Sequence, residues 1–167
     1  MTGGVRAGKS RYALTTVESL APAGRITFVA TASAGDAEME ARIARHRAER
    51  GPRYHAFEEP LDPARALEDP DSAAFVVDCL TLWISNLLFH PGSTDAWVAE
   101  RVEHLAEALA GVSKPVVVVT NEVGLGIIPA EPVARRYLDL LGRANQRVGA
   151  VADRVDLVVA GLPLRVR

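Results

Sequence analysis

Apolar positions along this chain follow two periods. Short continuous runs alternate with longer stretches in which apolar residues return every three or four positions. The runs are R-I-T-F-V-A-T-A (25–32), A-A-F-V-V-D (73–78), P-V-V-V-V-T (115–120) and V-D-L-V-V-A (155–160). Each reads as a strand buried on both faces, with Y-H-A-F (54–57) a shorter candidate. Helical spacing covers 11–20, placing Ala13, Val17 and Leu20 on one face, and 37–50, capped by Asp36 and ended by Gly51-Pro52. In the second of these, Met39, Ile43 and His46 lie at i, i+4 and i+7 and share a face. Asp62-Pro63 opens a small helix by the cap-then-proline arrangement, and 79–89 is a strongly apolar helix. Thr94 or Asp95 caps a long amphipathic helix carrying Val98, Val102, Leu105 and Leu109 and closed by Gly111. Glu131-Pro132 opens the last helix, which runs to about Val151. The alternation predicts a single α/β domain over residues 1–167, with a mainly parallel sheet and helices on both faces. In such sheets ligands sit beyond the carboxyl ends of the strands, so the loops after Ala30, Asp78 and Thr120 are expected to meet at one crevice.

Composition narrows the class. The 167 residues are 49% hydrophobic and 24% charged, which suits an ordered domain. A net charge of −2 and a pI near 6.1 argue against a general nucleic-acid or membrane-surface binder. The single cysteine, Cys79, excludes an internal disulfide and fits a reducing compartment. No apolar run approaches the ~20 residues that span a bilayer, and the N-terminus does not read as a signal peptide. The expectation is a cytoplasmic protein without membrane insertion.

The chemistry gathers at Gly3-Gly4-Val5-Arg6-Ala7-Gly8-Lys9-Ser10, which fills every fixed position of the phosphate-binding pattern G-x-x-x-x-G-K-[ST]. Glycines let backbone N–H groups turn inward around phosphate oxygens, and a helix beginning near Lys9 adds its positive end. Lys9 brings a cation to the outer phosphates and Ser10 a hydroxyl for Mg²⁺. Only Met1 and Thr2 precede the loop, where a buried strand is normally found. Asp78 closes an apolar run; its carboxylate either holds Mg²⁺ opposite Ser10 or caps the helix that follows. His46 stands among Arg42, Arg45, Arg47 and Arg50. That cluster is either a solvated basic face around a packed histidine or a phosphate-binding surface around a nucleophilic imidazole. No Asn-Lys-x-Asp guanine-reading sequence is present, and no Cys/His cluster has zinc spacing. Lys114-Pro115 begins a strand.

The segments G-G-V-R-A-G-K-S (3–10), F-V-A-T-A (28–32), E-M-E-A-R-I-A-R-H (38–46), V-V-D-C-L-T-L-W-I-S-N-L-L (76–88), V-V-V-T-N-E-V-G-L-G-I-I-P (117–129), G-R-A-N-Q (142–146) and V-V-A-G-L-P-L (158–164) run in order from end to end. By them the chain resembles the bifunctional adenosylcobinamide kinase/adenosylcobinamide-phosphate guanylyltransferase family of cobalamin biosynthesis. The phosphate loop alone is generic, whereas T-N-E-V-G-x-G-I-x-P is specific. The resemblance implies that the aminopropanol hydroxyl of adenosylcobinamide takes a phosphoryl group from ATP or GTP. That phosphate then receives GMP from GTP, giving adenosylcobinamide-GDP and pyrophosphate. It further implies that His46 carries the GMP; were His46 not the nucleophile, His55 is the next candidate. Nucleotide contacts map by the same resemblance onto Gly3 to Ser10, onto Ala30, Thr31 and Ala32, onto Arg47, Ala48, Glu49 and Arg50, and onto Glu58 and Asp78.

A RecA-like P-loop fold and a propeller-shaped homotrimer are implied as well. The apolar stretch 80–89 exceeds what one helix face needs and is expected to pack partly against a neighbouring subunit. The chain departs from the family in the apolar strand that usually precedes the phosphate loop. Either the true start lies upstream or the sheet lacks its central strand. Two other readings are a small-molecule kinase without the guanylyl step and a GTP-binding protein without turnover. No role is assigned to Asn121 or Glu122.

Overall fold

A computed structural model describes residues 1–32 and 51–167. In chain order the elements are β1 (Thr2–Gly3), α1 (Lys9–Leu20), β2 (Arg25–Ala30), β3 (Tyr54–Glu58), a 3-10 helix (Pro63–Glu68) and β4 (Ser72–Asp78). There follow α2 (Leu80–Phe89), α3 (Asp95–Gly111), β5 (Val116–Val119), α4 (Pro132–Val151), β6 (Asp156–Val159) and β7 (Leu162–Arg165). The expected helix over 37–50 lies outside the described residues.

Strands β3, β2, β4 and β5 form a parallel ladder in that order, and β1 pairs parallel with β6. Backbone bonds join the two sets: Met1 N donates to Val118 O at 2.7 Å, and Thr120 N donates to Met1 O at 2.9 Å. The order across the molecule is therefore β3-β2-β4-β5-β1-β6-β7. The alternative in which the sheet lacks its central strand is corrected here, since two residues hold that position. They suffice because Met1 to Gly3 is tied on both flanks: Glu122 N donates to Gly3 O, and Thr2 and Gly3 pair with Leu157 and Val158.

Both faces of the sheet are covered, which explains why the strands read as unbroken apolar runs. On one face Ala13 and Val17 of α1 pack on Ile26, Phe28, Val76, Val117 and Val119. On the other, α2, α3 and α4 bring Trp83, Ile84, Leu87, Leu105 and Leu141 against Phe75. Neighbouring residues of β4 thus serve opposite cores. Leu20, expected on the buried face of α1, is 55% exposed, because the helix ends there at the rim of the sheet. Thr94 is the N-cap of α3, its side chain accepting from Trp97 N at 3.1 Å. Leu80, Trp83, Ile84, Leu87 and Leu88 of α2 are buried within the chain itself, and Trp83 Nε1 donates to Leu61 O at 3.0 Å. Phe89, at 70% exposure, ends that helix in solvent.

Two further features were not anticipated. The last strand run, expected over 155–160, ends at Val159, and β7 returns antiparallel through the two-residue turn Ala160-Gly161. Both turn residues have positive φ (51° and 81°), as a right-twisted two-residue hairpin requires. Between β5 and β6, alongside the amino end of the short β1, lies a cavity of about 530 Å³. Met1, Leu109, Val116, Val118, Val148 and Val155 are among its walls.

Candidate active site

The phosphate loop is shaped by two glycines. Gly3 has φ 147°, and a Cβ there would stand 2.4 Å from Val158 O of the neighbouring strand. Gly8 has φ 96° and forms the N-cap of α1 without a side-chain cap, leaving the first-turn N–H groups for an anion. The loop closes on itself through Ala7 N to Gly4 O, and Gly161 N of the β6–β7 turn donates to Ala7 O at 2.9 Å. That hairpin therefore braces the loop from the side. Sequence reasoning missed the contact, although the quoted segment V-V-A-G-L-P-L contains its residues. Val5, at 74% exposure, projects from the loop, and Arg6 takes a positive φ of 58°. Lys9 is buried and its ammonium donates to Gly3 O at 3.1 Å and Gly4 O at 2.6 Å, so the cation sits over the loop's own first carbonyls.

Opposite the loop, the Ser10 hydroxyl donates to Asp78 Oδ2 at 3.3 Å across 68 residues of sequence. Asp78 is the last residue of β4, and the N-cap of α2 is Cys79. The capping alternative for Asp78 is thus not the one the fold uses. A hydroxyl and a carboxylate side by side are hard oxygen donors suited to Mg²⁺, which commonly keeps several waters and is completed by substrate phosphates. Thr31 locks this corner: its hydroxyl donates to Cys79 O and accepts from Cys79 N, both at 2.8 Å. Asn86 Nδ2 donates to Thr31 O at 2.7 Å, fixing Ala30 to Ala32 beside Asp78. The Cys79 thiol is pushed up in pKa by burial and then by the neighbouring Asp78 carboxylate, so it stays protonated and is no nucleophile.

Glu58 ends β3, four strand positions from β1, or about 19 Å at the usual ~4.8 Å strand spacing. Through Ala30 of β2 it stands level with Asp78, two strand positions from the carboxylate that Ser10 touches. His55 lies exposed on the same strand. His46, Arg47, Ala48, Glu49 and Arg50 lie outside the described residues.

The carboxyl end of β5 supplies a polar cluster whose role the sequence did not indicate. Asn145 of α4 accepts from the Thr120 hydroxyl at 2.7 Å and donates to Asn121 O at 3.1 Å. Asn121 Nδ2 in turn donates to Thr81 Oγ1 at 2.9 Å, and the Tyr137 hydroxyl donates to Thr81 O at 3.1 Å. Burial, and secondarily Cys79, raises the Tyr137 phenol to about 12, so it remains a donor. Glu122 Oε1 accepts from the Thr2 hydroxyl at 2.6 Å. The T-N-E and G-R-A-N-Q segments therefore meet in space. They hold the end of β5 between the strand that carries the phosphate loop and the strand that carries Asp78.

Comparison with known proteins bears on the whole chain. The profile of the family described as cobinamide kinase / cobinamide phosphate guanyltransferase matches residues 1–166. The bifunctional adenosylcobalamin biosynthesis protein CobP of Pseudomonas aeruginosa is 42% identical over 168 residues, spanning 97% of this chain and 92% of that protein. The bifunctional adenosylcobalamin biosynthesis protein CobU of Salmonella typhimurium is 34% identical over 180 residues, spanning 100% and 98%. Its namesake in Escherichia coli is 33% identical over the same length and shares. Among solved structures, a crystal structure of the RadB recombinase aligns with a TM-score of 0.43 and 19% identity, over 81% of this chain and 70% of that one.

Proposed function

The chain belongs to the cobinamide kinase / cobinamide phosphate guanyltransferase family, and on that premise we propose that it performs both reactions in one domain. In the first, the aminopropanol hydroxyl of adenosylcobinamide attacks the γ-phosphorus of ATP or GTP. In the second, the new phosphate displaces a histidine-borne GMP derived from GTP, with pyrophosphate as the other product. The observation that carries the first reaction is the Ser10–Asp78 contact at the mouth of the phosphate loop. It supplies the oxygen pair that a phosphoryl transfer needs beside its phosphate cradle.

The chain's own residues have separable tasks. Backbone N–H groups from Gly4 to Ser10 orient the phosphates, and Lys9 moves from the Gly3 and Gly4 carbonyls to the outer phosphate oxygens. Ser10 and Asp78 are the residues that would hold Mg²⁺, whose contribution is to offset charge on the phosphates. Ala30, Thr31 and Ala32 border the same crevice, and Arg47 to Arg50 and Glu58 are assigned to the nucleotide from the sequence. His46 is the proposed carrier of GMP, because a neutral imidazole can attack phosphorus and leave again. The protein is proposed to act in the cytoplasm as a homotrimer.

The test is a mass spectrum of the products formed from adenosylcobinamide, ATP, GTP and Mg²⁺, beside protein labelling with α-phosphate-labelled GTP. The expected result is phosphorylated and then GDP-bearing cobinamide. One acid-labile, alkali-stable GMP should form on the wild type and be absent from His46→Ala. Label retained in full on His46→Ala reassigns the nucleophile, with His55 next. Absence of any cobinamide product removes the reading.

A further inference from the structure

Transfer of a phosphoryl group to an alcohol requires that the hydroxyl proton go somewhere. The fold limits which carboxylates of the described residues can take it. Asp78 already accepts from Ser10. Glu59 is held by Leu61 N, Asp62 N and Arg65 and directly follows Glu58, the last residue of β3, four strand positions from β1. Asp156 stands at the amino end of β6, away from the phosphate loop, and is bound by Tyr12 and Arg154. Glu122 stands apart in its place on the sheet. It follows β5, the strand next to β1 and between β1 and β4. Its backbone N–H donates to Gly3 O at 3.2 Å, the same carbonyl that receives the Lys9 ammonium at 3.1 Å. The residue is thus attached to the first glycine of the loop, one acceptor atom away from the cation that meets the outer phosphates.

Its side chain is half-buried and oriented. Oε1 accepts the Thr2 hydroxyl at 2.6 Å, while Oε2 has no hydrogen-bond partner among the described residues. One oxygen fixed and one available is the arrangement that a positioned proton acceptor needs.

We propose that Glu122 is the catalytic base of the phosphoryl-transfer step, held in register by Thr2; this rests on the function proposed above. As the acceptor hydroxyl attacks the γ-phosphorus, its O–H bond breaks and the proton passes to Glu122 Oε2. A bond forms between the hydroxyl oxygen and the γ-phosphorus. The bond from the γ-phosphorus to the β–γ bridging oxygen breaks, its electron pair leaving with the nucleoside diphosphate. The guanylyl step begins from a phosphate that is already ionised and needs no such base. Glu122 therefore serves one reaction of the two.

Glu122→Gln keeps the side chain's length and an oxygen for Thr2 but removes the basic carboxylate. With the full chain, adenosylcobinamide and MgATP, kcat for phosphorylation should fall about 100-fold or more. Nucleotide Kd, and GMP transfer to supplied adenosylcobinamide phosphate, should stay within about threefold. The acid limb of the wild-type kcat–pH profile should vanish in the variant. Phosphorylation at the wild-type rate overturns the proposal. So does a parallel loss of both steps and of nucleotide binding, which marks Glu122 as structural. If Glu122→Gln does not fold, Glu122→Asp decides: a partial rate with an acid limb supports the base, and a rate without one overturns it. A wild type that binds nucleotide but never phosphorylates cobinamide removes the proposed function and this role with it, a result separate from a defect confined to the variants.

Discussion

Lengthening β1 is the perturbation whose outcome the structure specifies most fully. Consider the 167-residue chain with Val-Ile-Leu-Val appended ahead of Met1. In the present register Met1 N donates to Val118 O and Thr120 N to Met1 O, so Met1 stands opposite Val119. By the alternation of a parallel ladder, the second residue ahead of Met1 would accept from Val118 N–H and donate to Val116 C=O. On the other flank Thr2 pairs with Leu157, which places the residue just ahead of Met1 opposite Val155. Four added residues thus gain about four ladder bonds, worth ~1 kcal/mol each. Their side chains enter the 530 Å³ cavity between β5 and β6. Burying them contributes about 2 kcal/mol apiece, and ordering each residue costs about the same, so the ladder is the surplus. A net gain of about 4 kcal/mol raises Tm by roughly 8–16 °C at this size. The assay is a calorimetric melt of three chains: the original, the apolar extension and a Gly-Ser-Gly-Ser extension. Equal Tm for the two extended chains would refute the reasoning.

The same experiment has a pH signature. Burial holds the Met1 ammonium below its ordinary pKa, Asp156 opposing this and Lys9 adding to it. The unfolded chain then binds more protons than the folded one between the depressed value and about 8. Stability of the original chain should rise with pH across that window, as the unfolded amine also loses its proton. In the apolar extension that slope should disappear, because an amide replaces the amine.

Lys9→Ala removes the cation of the phosphate cradle and should lower turnover in both reactions about 10²–10³-fold, with weaker GTP binding by titration; full activity would take the loop out of the mechanism. Gly3→Ala forces a side chain into a φ of 147° and against Val158 O at 2.4 Å. It should cost about 2–4 kcal/mol, read as a lower Tm together with lost nucleotide binding, and an unchanged melt would contradict the strand contact. If the proposed homotrimer uses α2, Phe89→Asp should shift the light-scattering mass toward monomer while the chain stays folded, since Phe89 is 70% exposed; an unchanged mass removes α2 from the subunit interface.

What was legible followed from period and punctuation. The four apolar runs became β2, β4, β5 and β6 within two or three residues, because a strand covered on both faces has nowhere to place polar side chains. The α4 bounds, Pro132 to Val151, were readable from a proline pre-set for the first turn. Thr94 was readable as a cap because its hydroxyl satisfies an orphan N–H. The meeting of Ser10 with Asp78 followed from topology: Asp78 ends one strand, and Ser10 lies in the helix turn entered from the loop at the carboxyl end of another, in one parallel sheet.

What escaped the sequence was a matter of partners, not of propensity. Two residues cannot announce a strand, and Thr2-Gly3 is one only because β5 and β6 present ladder edges on either side. The hairpin through Ala160-Gly161 was hidden by the proline in β7. Pro163 can sit in that strand because it lies at the edge of the sheet, where a missing N–H is tolerated. Five of the apolar side chains of α2 are buried in a core shared with α3 and α4, neighbours that a count against one helix face leaves out. Glu122 is the case with a mechanism in it. Nothing in the spacing of T-N-E separates a turn residue from a base. The distinction arises when Gly3 O accepts from Glu122 N and Lys9 at once, and Thr2, 120 residues away in sequence, turns one carboxylate oxygen aside and leaves the other open. A function carried by one oxygen of a carboxylate depends on contacts that only the closed sheet creates.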